Sequence, residues 1–107
     1  MPEMHFNIQW PNGKRERCYS PSYIIEEYLE PGRSYAVPEF LQRTQTALEI
    51  ASERVRQRYG FACSSAIDQL RELESSSALL SDDERRGSVT VLDFEKHPPR
   101  DARAKAG

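Results

Sequence analysis

The chain has 107 residues, 37% of them hydrophobic and 30% charged, which is room for one domain with a thin core and too little for two. Lys and Arg number 15 against 17 Asp and Glu, so the net charge of -2 offers no overall attraction to a nucleic-acid backbone. No apolar run approaches the roughly 20 residues of a bilayer span, and the polar, acidic start does not read as an export signal, so a cytoplasmic protein with reduced cysteines is expected.

Met4, Phe6, Ile8 and Trp10 alternate with His5, Asn7 and Gln9, the period of a strand with one buried face. Pro11-Asn12-Gly13 suits a type I turn closed by a left-handed glycine, which pairs Trp10 with Lys14, sets Phe6 opposite Cys18 and turns Cys18 inward. A tight Asn12-Gly13 turn would instead shift the register by one and turn Cys18 out. Ser20 as N-cap and Pro21 at the first helical position open a short helix with Ile24, Ile25, Tyr28 and Leu29 inward, ended by Glu30-Pro31-Gly32.

An extended connector over 33–36 leads to the dominant helix, which starts at Pro38 and ends at Gly60. Leu41, Leu48, Ala51, Val55 and Tyr59 form one apolar row on it and Phe40, Ala47 and Ile50 a second, the wide buried face of a central spar. After a corner at Phe61 and Ala62, a third helix capped by Cys63 or Ser64 points Ile67, Leu70 and Leu73 inward and weakens at Ser75-Ser76-Ser77. The fold class is therefore α+β: an N-terminal β-hairpin, with a possible third strand near the C-terminus, packed on a three-helix unit with a long central helix. The domain is expected over 1–80, a charged linker and possible extra strand (Val89 to Phe94) over 81–96, and a disordered tail over 97–107.

Candidate chemistry is sparse. Two histidines, His5 and His97, and two cysteines, Cys18 and Cys63, show no local zinc-site spacing, so no metal and no cofactor is expected. Single glycines at turns exclude phosphate-binding loops and nucleophile elbows. Cys63 is the better candidate nucleophile, because a helix N-terminus lowers a thiol's pKa, although a small buried cap beside Phe61 is the favoured account of it. Arg43, Arg54 and Arg58 could hold an anion, against the plainer account of a solvated helix face balanced by Glu49 and Glu53. Tyr19, Tyr23, Tyr28 and Tyr35 gather around the first helix, the residue type favoured at interface cores, in a segment from Cys18 to Ala36 without lysine.

The ordered set Met1-Pro2-Glu3-Met4, Trp10-Pro11-Asn12-Gly13, Cys18-Tyr19-Ser20-Pro21-Ser22, Pro31-Gly32, Ser34-Tyr35, Ala47-Leu48, Ile50-Ala51-Ser52-Glu53-Arg54-Val55-Arg56, Tyr59-Gly60-Phe61 and Cys63-Ser64 resembles the small bacterial nitrogen starvation response proteins encoded in nitrilase-containing gene clusters. The resemblance runs from residue 1 to about residue 80. It implies a cytoplasmic bacterial protein deployed when nitrogen is scarce, beside a nitrilase-type carbon-nitrogen hydrolase and radical-SAM, acetyltransferase-like and flavin-dependent enzymes. It implies no activity and carries no catalytic or ligand residue.

The expected function is thus a non-enzymatic accessory protein that contacts itself or an enzyme of such a cluster, with no nucleic-acid or membrane partner. A small thiol-dependent enzyme or anion-binding subunit using Cys63 and the arginines is the alternative. A DNA-binding regulator comes third, since no helix is a clear basic recognition helix.

Overall fold

The structure, a computed structural model, describes residues 3–61 and 64–97. Four antiparallel strands, β1 (Glu3–Gln9), β2 (Arg15–Ser20), β3 (Ser34–Ala36) and β4 (Ser88–His97), lie in the order β2-β1-β4-β3. A 3₁₀ turn (Tyr23–Glu27), the long helix α1 (Val37–Tyr59), α2 (Ser64–Ala78) and the short α3 (Asp82–Arg85) complete the α+β fold.

The hairpin forms as its alternation demands. Met4, Phe6, Ile8 and Trp10 are buried, and the Trp10 ring meets Phe40 of α1 edge-on at 5.8 Å between centroids. Gly13 takes φ +88°, where only glycine sits without strain, and its N–H donates to the Trp10 carbonyl while the Trp10 N–H donates to Lys14. Phe6 accordingly opposes Cys18. The possible third strand is realised as β4, whose pairing with β1 and β3 places it inside the sheet and carries the core past residue 80 to Val89 and Val91. The expected connector supplies β3, a three-residue edge.

Local outcomes differ from the sequence reading at five places. Ser20 is the last residue of β2, so its hydroxyl serves a turn, donating to the Ser22 carbonyl and accepting the Ser22 N–H. The cap falls to Ser22, and the helix is 3₁₀ rather than α and begins two residues later. In α2 the buried row is Ala66, Gln69 and Leu73, leaving Ile67 42% exposed. A polar residue holds that inward position because Gln69 Oε1 accepts the Tyr19 N–H at 2.8 Å, covering an amide on the outer edge of β2.

The serines at 75–77, expected to weaken α2, lie in its last turn before it stops at Ala78, and the Ser76 hydroxyl donates to Glu16. Tyr59, placed on the inward row, is half exposed at the end of α1. The charged linker contains α3, closed by a capping box in which Ser81 Oγ accepts the Glu84 N–H and the Glu84 carboxylate accepts the Ser81 N–H. Gly87 follows, so close to Pro11 that a Cβ there would lie 2.8 Å from the proline's own. The tail from 98 onward and Cys63 lie outside the described residues, while His97 is the last residue of β4.

Candidate functional site

The helices cover one face of the sheet, and the other carries the polar chemistry. Its make-up depends on a β-bulge: Asn7 opposes Asp93 while Ile8 opposes Val91, so Leu92 has no partner on β1. Val89 and Val91 face the core before the bulge, and the extra residue reverses the alternation. Asp93, Glu95 and His97 therefore emerge on the outer face beside His5 and Asn7 of β1 and Arg17 and Tyr19 of β2, while Phe94 packs against the core.

Two networks occupy this face. Arg17 donates to both Glu95 oxygens at 2.9 and 3.1 Å, and the Asn7 amide bridges Glu95 at 2.7 Å and Asp93 at 2.6 Å. Those hydrogen bonds, Arg17 first and Asn7 next, hold the Glu95 carboxyl down to about 2. Beside them His5 Nδ1 lies 3.0 Å from His97 Nε2, with the rings edge-on at 5.1 Å. The Tyr19 ring stands 5.6 Å from His5, and its hydroxyl donates to Glu3 at 3.0 Å. Burial, then the charges of Arg17 and His97, push the His5 pKa below its ordinary value, with Glu95 and Glu3 opposing.

The four tyrosines do not make one surface. Tyr35 is 4% exposed, and its hydroxyl accepts the Glu30 N–H, so it belongs to the core. Tyr19 lies on the outer sheet face. Tyr23 opens the 3₁₀ turn and Tyr28 follows it, both half-buried, and Lys96 sits over the Tyr23 ring while pairing with Glu26 at 2.6 Å.

The arginines are also separated. Arg43 donates to Glu39 and to the Tyr28 carbonyl, 11 residues or about 16 Å along α1 from Arg54, which donates to Ser22 Oγ at 3.1 Å. Arg58 lies over the Tyr59 ring. Arg43 cannot share a small anion with the other two. Cys18 is a free thiol buried inside the sheet, where burial pushes its pKa far above the usual range and makes it a poor nucleophile.

What the sequence reading missed is the corner between α1 and α2. Tyr59 is 50% exposed and Phe61 68%, and Ile67 lines a groove with Leu48, Ala66 and Leu70 between the two helices. Phe61 beside the helix-ending Gly60 was the available signal, because a large aromatic at a corner has few neighbours to cover it.

No curated protein and no solved structure matches the chain. The family model described as nitrogen starvation-induced protein NitG matches residues 5–94, from the third residue of β1 to the seventh of β4. With the greater part of the chain matched, this protein belongs to the NitG family of nitrogen starvation-induced proteins.

Proposed function

We propose that this NitG-family chain is a non-enzymatic accessory protein of the bacterial nitrogen starvation response, acting in the cytoplasm through contact with itself or with an enzyme of a nitrilase-type cluster. The supporting observation is the exposed apolar side chains near the α1–α2 corner: Tyr59 and Phe61 at the end of α1, and Ile67 in the groove that it lines with Leu48, Ala66 and Leu70. Contiguous exposed apolar surface marks contact sites more often than single exposed residues do. The contact is placed there, and not around the 3₁₀ turn, because Tyr35 is inside the core and Tyr23 and Tyr28 are partly covered. A specific interface should bury about 1,000 Å² or more in total.

Growth under nitrogen limitation tests this reading, comparing Phe61→Ser combined with Ile67→Ser against Cys63→Ser, each first verified as folded. The double variant should lose growth support and complex formation while Cys63→Ser keeps both. The opposite pattern overturns the contact reading in favour of thiol chemistry at Cys63.

A further inference from the structure

We propose that His5 and His97 form a two-imidazole site for a divalent transition metal ion of the Ni²⁺ or Cu²⁺ class on the open face of the sheet. The two residues are 92 positions apart and meet only because β4 lies against β1. The Leu92 bulge turns His97 to the same face as His5; without it the alternation set by Val89 and Val91 would send His97 toward the core.

The spacing fits such an ion. Imidazole nitrogens bound at about 2.0–2.1 Å and at right angles around one metal lie about 2.9 Å apart, whereas a tetrahedral pair lies about 3.4 Å apart. His5 Nδ1 and His97 Nε2 are 3.0 Å apart. Right-angled ligands belong to square-planar and octahedral centres, and imidazole binds Ni²⁺ and Cu²⁺ more strongly than the earlier divalent ions.

The surroundings favour a cation as well. In register, Glu3 opposes His97 and Glu95 opposes His5, so a carboxylate faces each imidazole across the strands. Glu3 is oriented by the Tyr19 hydroxyl and Glu95 by Arg17 and Asn7, which leaves the two nitrogens as the protein ligands. Among the described residues no group of three or more His, Cys, Asp or Glu gathers to hold a metal, so water completes the coordination. Both rings are half-buried, and His5 lines an open pocket with Tyr19 and with Ser65, Asp68, Gln69 and Glu72 of α2, which leaves room for those waters. In the metal-free protein one facing nitrogen donates its proton to the other. Binding requires both facing nitrogens bare, so the donating ring changes tautomer, its proton passing to its far nitrogen, and two neutral imidazoles release no net proton.

The test titrates the untagged full chain with Ni²⁺ alone by calorimetry at neutral pH, and follows the histidine ring signals by NMR. One equivalent should bind and broaden the signals of both histidines. His97→Gln and His5→Gln should each weaken binding by about tenfold or more, as loss of a ligand exceeds loss of a supporting group. Cys63→Ser should leave binding unchanged. His97 is the final strand residue, so His97→Gln keeps the test valid if His5→Gln does not fold. Absence of binding by the unaltered chain, or retention of binding in folded His97→Gln, overturns the proposal.

Discussion

Along β1 the inner face carries Met4, Phe6 and Ile8, all fully buried, while the outer face of the same strand carries His5 and Asn7, joined to their neighbours by directed polar contacts. Neighbouring residues thus enter opposite kinds of interaction. The inner contacts are non-directional and gain from the area removed from water. The outer ones involve exposed charges, whose attraction is screened and offset by solvation. The inner face should therefore hold the fold together, and the outer face should be free to carry chemistry at little cost in stability.

Deleting Leu92 strikes at what separates the two faces. Without the extra residue, either Val89 and Val91 or Asp93, Glu95 and His97 must take the wrong side, so charges enter the core or the core opens to water. Loss of cooperative folding by circular dichroism and urea titration is expected, a larger effect than any single core truncation. Phe6→Ala comes next, with about 3–5 kcal/mol lost from urea unfolding, because the ring is fully buried and the rigid sheet cannot close on the cavity. Gln69→Ala should cost about 1–3 kcal/mol by leaving the Tyr19 N–H without its acceptor. The low end is expected, since Gln69 Nε2 is itself buried without a partner among the described residues, and faster amide exchange at Tyr19 would report the lost bond.

These effects also follow how far each feature was legible in the sequence. The hairpin register was readable because Pro11-Asn12-Gly13 and the alternation before it act locally, and the long helix because two apolar rows run between Pro38 and Gly60. The phase of α2 was not, since the inward Gln69 is explained only by a strand 50 residues away. α3 could have been found, because Ser81 and Glu84 have capping-box spacing, but the run of charges read as linker. The meeting of His5 with His97 left no trace, because nothing local marks β4 as the neighbour of β1 or Leu92 as the residue that reverses its faces.

A smaller effect should appear at high pH. The Cys18 thiol stays protonated in the folded protein well above the value at which it ionises in the unfolded chain. Its contribution is therefore complete below the ordinary thiol pKa and lost as pH rises above it, by up to about 1.4 kcal/mol per pH unit. Urea unfolding from pH 8 to 10 should show that decline, and Cys18→Val should remove this part of it. An identical slope in both proteins would mean that Cys18 is not held in the dry core.

The smallest effect belongs to the outer face. Arg17→Met removes both hydrogen bonds to Glu95, the most completely paired carboxylate on that face. The two side chains are nevertheless 55% and 38% exposed, so solvent takes over much of what each loses. At about 0.15 M salt, where exposed charges are screened within about 8 Å, the thermal midpoint should stay within the error of the melt. Asn7 still donates to Glu95, and the Met side chain still covers the sheet surface that the arginine stem covered. A fall in midpoint matching that of Gln69→Ala would mean that the polar face holds the strands together as the apolar face does. The division of labour between the two faces would then be wrong, and a metal ion on the outer face would have to be read as a structural clamp, not as a ligand on a surface that folding leaves free.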